Sequence, residues 1–456
     1  PEALRAQGLY RGSVLGGGRV DIDAGLGYLI TREGSVIDVG GASDVVNVAT
    51  ALGRGVAYTA TAESSGGGTV KLAARDGLFL DGSYRAMAGT SGGASAPGGT
   101  LSLRFADAKA STDPWGVDTF PAGPLKAALT GGRQLTLFQT SAAPGALWPG
   151  LTESDYLAGA VIDPVQYNGK ARFDLARLTA AGFGSWYLAS QDEMRFEGTV
   201  NTGVTNQLRL ESQRFSAASN SASVALAAAA AQIGNFGITQ ANLSSTPAGL
   251  GTANFSVTAR DIGLVGNFSL SGFATSEFVS SGDIHFDSMT AGSANRAGGG
   301  SYNGMLKGSG EVTFKAARLA PATFSDFVVD LSADPDSRVT ITQNGTPGPL
   351  LSAAGRIEFK ADTIDHEGTV AAPLGEIVFA GDTVTLGASS KTSVAANGLI
   401  PLGITDQSGR IWNYLSGSYT VSAPEKAIRI NAANSEVKSG ATLDLSGGGD
   451  AYAWEF

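Results

Sequence analysis

The chain has 456 residues, 64 of them Gly and none Cys, with two His and a net charge of −10. Disulfide and thiolate chemistry are thereby excluded, imidazole chemistry rests on His285 and His366 alone, and roughly twice the usual Gly with only 16% charged residues departs from an ordinary enzyme. The acidic balance, without any basic cluster, argues against nucleic acid, and no run reaches the ~18 apolar residues of a membrane helix, so a membrane-embedded chain is not expected.

The first segment, PEALRAQGLYRGSVLG, has neither an initiator Met nor a signal pattern, and the last, DLSGGGDAYAWEF, follows a strand-like stretch without a cap. Both suggest a piece of a longer protein. From the front, GGRVDIDAG, GSVIDVGG, GGTVKLAA and GGTLSLRF start at 17, 34, 67 and 98 and read as short strands between Gly corners. Residues 1–107 are thus assigned to β-solenoid coils, broken by the low-complexity loop TSGGASAPGG at 90–99. GTSGG in that region matches a nucleophile elbow around Ser91, but no helix follows it, so a loop is expected.

Residues 108–182 contain six Pro together with Trp115 and Trp148 and end in ARFDLARLTAAGF, a pattern suited to a short amphipathic helix. They read as an excursion from the coils. Coils resume over 183–387, where GSWYLAS, EMRFEGTV and QLRLESQRF look like three short strands. The phrase N-F-S recurs thirteen residues apart, at Asn254 and Asn267. GEVTFKAARL, SRVTITQNG, GRIEFKADTI and GEIVFAGDTV start at 310, 337, 355 and 375, a mean step of about 22 residues. Period-two alternation aligns Val312 and Phe314 with Val339 and Ile341, Ile357 and Phe359, and Ile377 and Phe379 as one inward ladder. Glu311, Arg356 and Glu376 then face water. Residues 388–422, with Trp412, Tyr414 and Tyr419, form a second excursion, and 423–456 return to coils with a truncated end.

Few constellations carry chemistry. Asp362 and Asp382 each stand seven residues after the Gly of their repeat, so stacked coils would bring them one strand spacing apart. Such a pair could share a Ca²⁺ ion or act as the paired carboxylates of a glycan-cleaving site, although Asp at a corner is also an ordinary turn residue. Asp334 and Asp336 around Pro335 invite the same two readings. His285 and His366 have acidic neighbours, but alternation separates adjacent residues, and solvated strand histidines are expected. Trp115, Trp148, Trp412, Tyr414 and Tyr419 are candidate surface-recognition residues, presenting flat faces to sugar rings or apolar partners, or covers over the coil. No catalytic residue and no cofactor are assigned.

Three phrases carry a likeness: LTAAGFGSWYLASQDEMRFEGTVN (178–201), GRIEFKADTIDHEGTVAAPLGEIVF (355–379) and GATLDLSGGGDAYAWEF (440–456). With the repeat grammar around them, they resemble the filamentous-haemagglutinin-like exoproteins of Gram-negative two-partner (type V) secretion, chiefly over residues 170–456. The resemblance implies an all-β fold, a right-handed parallel β-helix or β-solenoid with loop insertions. It further implies export through a partner transporter barrel in the outer membrane, and an extracellular or cell-surface location. The implied role is adhesion to a host-cell, glycan or other bacterial surface. The family's secretion-domain motifs, of NPNL and NPNG type, have no counterpart here. A Cys-free chain does suit threading unfolded through a pore. The expectation is a structural shaft of roughly 16 to 20 coils. Its rivals are a β-helical polysaccharide lyase or hydrolase and a Ca²⁺-stabilised surface-layer-like module.

Overall fold

The computed structural model describes residues 12–25, 27–51, 55–90, 96–106, 132–140, 169–237, 251–289, 304–396, 399–405, 412–413, 426–447 and 450–454. They form an all-β parallel solenoid with loop insertions. Two compact units divide the chain, one made of Pro1–Gln191 with Thr202–Arg209 and the other of Asp192–Asn201 with Leu210–Phe456. No helix among the described residues is long and apolar enough to cross a membrane.

The second unit shows how the sequence makes a coil. Strands Asp261–Val265, Asn267–Ser271 and Phe273–Ser280 follow one another with a single Gly at each corner. Gly266 and Gly272 hold φ of 66° and 78° there, a left-handed conformation that turns the chain in one residue and that a side chain would strain. Asp283–Asp287, Gly304–Lys307 and Glu311–Ala316 build the next coil, and Arg318–Pro321, Asp326–Asp330 and Arg338–Gln343 the one after. Every strand pairs in parallel with its counterpart one coil on. Three ladders result.

The single inward ladder expected from the repeats is therefore two. Val312 and Phe314 do pair with Val339 and Ile341, but those continue to Ile364 and His366 and then to Val384 and Leu386. Ile357 and Phe359 stand in the other ladder, between Phe327 and Val329 on one side and Ile377 and Phe379 on the next. The physical reason is that each coil holds more than one strand with the same alternation, so similar phrases recur at less than a full coil. Asn254 and Asn267 separate in the same way, Asn254 pairing with Ser223 and Thr275 and Asn267 with Met305.

Stacking identical positions puts like residues on like. Phe278 lies on Phe314 with centroids 5.6 Å apart, and Phe359 on Phe379 at 5.7 Å, both pairs nearly coplanar in tilt. Each such pair adds about 0.5–1.5 kcal/mol to the area it buries. Glu311, Arg356 and Glu376 do point outward, but Arg356 and Glu376 are neutralised by neighbours more than by water. Asp326, Arg356 and Glu376 share one column, and Arg356 reaches Asp326, Glu358 and Glu376 at 3.3, 2.5 and 2.9 Å.

In the first unit, Arg19–Asp23, Thr69–Ala74, Thr100–Phe105 and Ser185–Ser190 pair in succession. The expected starts at 17, 67 and 98 thus fall on one ladder, whereas GSVIDVGG supplies Val36–Asp38 to a short pairing with Ser83–Arg85. Lys170–Asp174 pairs with Gly77–Leu80 and also with Gln134–Phe138, which precedes it in the chain. The helix expected near 171–183 occupies Leu175–Ala181, shorter than its pattern because ARFD is already a strand. Asp174 caps it by accepting the Ala176 N–H at 2.9 Å, and Gly182 ends it at φ 76°. An antiparallel hairpin, Ser43–Ala51 with Val56–Ser64, was not expected at all.

The later excursion contributes its own small sheet. Leu399–Thr405 pairs antiparallel with Trp412–Asn413 and parallel with Asp450–Trp454. Leu402 packs with Phe324, Ala353, Leu374 and Ala396.

Gly375 sits where two coils approach closely, since a Cβ there would fall 1.9 Å from the Gly355 carbonyl oxygen. Gly375→Ala will lower the unfolding free energy by about 1–3 kcal/mol through overpacking. Gly348→Ala, with nothing within 4 Å of the added carbon, will change it by less than about 0.5 kcal/mol. Urea unfolding followed by circular dichroism measures both.

Candidate functional site

Three consecutive corners of the second unit stack into a cleft. They join Asp326–Asp330 to Arg338–Gln343, Arg356–Lys360 to Thr363–His366, and the two halves of Glu376–Leu386. Backbone hydrogen bonds hold corner on corner: Leu331 N–H to Lys360 O at 2.8 Å, Ala361 N–H to Ala380 O at 3.2 Å, and Asp382 N–H to Asp362 O at 2.9 Å. Asp334, Lys360, Asp362 and Asp382 line the resulting space of about 320 Å³, with Pro335 and Ala361 among its apolar walls.

The corners explain why Asp is present. Buried Asp334 accepts the Gly310 N–H at 2.7 Å and the Asp336 N–H at 3.1 Å, closing its own turn and tying it to the neighbouring coil. Half-buried Asp362 accepts from the Thr363 hydroxyl at 3.2 Å, and its N–H donates to Ser337 Oγ at 3.0 Å. Asp382 is exposed. Lys360 lies 3.4 Å from Glu358. The structure thus brings Asp362 and Asp382 to adjacent rungs, sets Asp334 of the other sequence-derived pair beside them, and adds Lys360, which sequence did not single out. Chemically, the cleft offers carboxylate acceptors and an ammonium donor, a combination suited to hydroxyl-rich ligands. Among the described residues, no three carboxylate or imidazole groups converge closely enough to hold a metal ion.

The other candidates are dispersed. His285 is half-buried on an outward position, and its i±2 carboxylates are engaged elsewhere: Asp283 pairs with Arg318, and Asp287 accepts the Met289 N–H at 2.8 Å. His366 corrects the expectation of a solvated histidine. Alternation in DTIDHEG puts Ile364 and His366 on the inward face, and the ring is 0% exposed. Burial pushes its pKa down to about 4, opposed weakly by the Lys391 carbonyl and the Glu367 charge. Trp412 lies in the short antiparallel strand opposite Thr405. Ser91, Trp115, Trp148, Tyr414 and Tyr419 lie outside the described residues.

Sequence reasoning missed the buried pair of Arg318 and Asp283, in register on neighbouring coils, with Arg318 also donating to Gly348 O at 3.0 Å. Charge alternation between coils was the available signal, but it needed the register to be visible. No family model, no curated protein and no solved structure matches the chain.

Asp334→Ala will destabilise the protein by about 1–3 kcal/mol by removing the charged acceptor of the half-buried Gly310 N–H and of the Asp336 N–H. Asp382→Ala will stay within about 0.5 kcal/mol, as expected for an exposed corner. Denaturant midpoints of the two variants report the contrast.

Proposed function

We propose that the chain is a structural shaft of a large secreted or cell-surface adhesin or exoprotein, exported by two-partner secretion through an outer-membrane barrel of a Gram-negative bacterium. Its work in this reading is stiffness and reach, holding contact surfaces away from the cell toward a host-cell, glycan or bacterial surface. The observation that carries it is in-register stacking of coil on coil, with apolar columns inside and paired charges such as Asp326, Arg356 and Glu376 outside. Energy in such a stack is a sum of neighbour interactions, so length can grow without a larger core. The Cys-free composition and the likeness of 355–379 to the exoprotein body support the export route.

A second reading rests on the corner cleft, where Asp362 and Asp382 on adjacent rungs beside Lys360 fit a polysaccharide lyase or hydrolase. One pair of measurements separates the two. Stretched in an optical trap, a shaft will yield in coil-sized steps of about 7–18 nm, the contour lengths of the 20 to 51 residues between paired positions such as His366 and Leu386 or Phe379 and Ile430, and purified protein will leave a panel of neutral and acidic polysaccharides uncleaved. Turnover that disappears in Asp362→Asn or Asp382→Asn would replace the shaft by the enzyme.

A further inference from the structure

One column of the core runs Phe278, Phe314, Ile341, His366 and Leu386. Only His366 can carry a charge there. Its ring stacks 5.5 Å from Phe379, its Nε2 lies 3.2 Å from Thr392 Oγ1, and its Nδ1 has no hydrogen-bond partner. Thr392 is also fully buried and belongs to the third ladder, between Val370 and Leu443. The imidazole and the hydroxyl therefore join two ladders across the core through a neutral hydrogen bond, with the Lys391 backbone of the third ladder also acting on the ring.

The charged groups on the surrounding strands are committed elsewhere. Arg338 on the preceding strand pairs with Asp365 on His366's own strand. Glu376, on the following strand, pairs with Arg356 and Arg429. Asp382 on that same strand and Lys391 on the third ladder are exposed. Glu367, next in the chain, accepts the Ser389 hydroxyl at 2.7 Å, which with the Ser389 N–H holds its carboxyl below the usual range. None of these carboxylates hydrogen-bonds the ring.

We propose that His366 is an acid-operated release for the coils between residues 338 and 393: a proton taken up by the ring places a positive charge among Ile341, Phe379 and Leu386 and opens these rungs while more distant coils stay stacked. Because each coil depends mainly on its neighbours, opening can remain local. A folded-state pKa lowered to about 4, against 6.5 for the free ring, sets the window. The stabilisation is complete above about pH 6.5, declines as pH falls and is fully lost below about pH 4.

Hydrogen exchange corrected for intrinsic rates tests the release. Between pH 7 and 4.5, protection in residues 363–367 and 391–394 will fall by about 60-fold, while that of Ala253–Ala259 holds. His366→Leu and, as a second variant if Leu disturbs folding, His366→Gln will abolish the difference. The ring itself can be followed by proton NMR, since the chain has only two His and His285→Gln assigns them. A His366 titration near 6.5, equal loss of protection in both segments, or a fall that survives both substitutions would overturn the proposal.

Discussion

Parallel hydrogen bonding between successive coils is the constraint on which everything else depends. It fixes the same residue position at a spacing near 4.8 Å on rung after rung, so a choice made once in sequence is copied along a column. Inward columns must then be apolar and of similar size, and Phe278 on Phe314 or Phe359 on Phe379 meets that demand with stacked rings. Outward columns must avoid like charges, and Asp326, Arg356 and Glu376 alternate in sign. Low charge overall follows, because much of each coil faces other coils.

The corner cleft has the same origin. Each corner needs backbone groups satisfied where the ladder turns, and Asp does this locally at 334 while Ser337 does it for Asp362. Stacking those corners converts separate turn residues into a shared wall with Lys360. Chemistry-bearing side chains have been collected by repetition, without any one turn having been built around a ligand.

Sequence made the all-β solenoid legible through period two and Gly corners, and it correctly paired Val312 and Phe314 with Val339 and Ile341. It could not assign ladders, because strands on different faces share one alternation and the insertion lengths between them are arbitrary. The hairpin at Ser43–Ser64 was invisible for a related reason: alternation does not reveal whether a strand's partner is the next coil or its own neighbour. Asp362 and Asp382 were legible as a pair, since both follow a repeat Gly at equal distance. His366 was misjudged by residue type, although parity with Ile364 already put it inside.

Gln134–Phe138 takes its place on the far side of Lys170–Asp174, a strand made later in the chain, which itself rests on Gly77–Leu80. The order of assembly here therefore departs from the order of the chain. The earlier strand finds this edge only on the later one, so position in the stack here is set by register and not by sequence order. At this point the order of rungs in space and the order of strands in the chain part company.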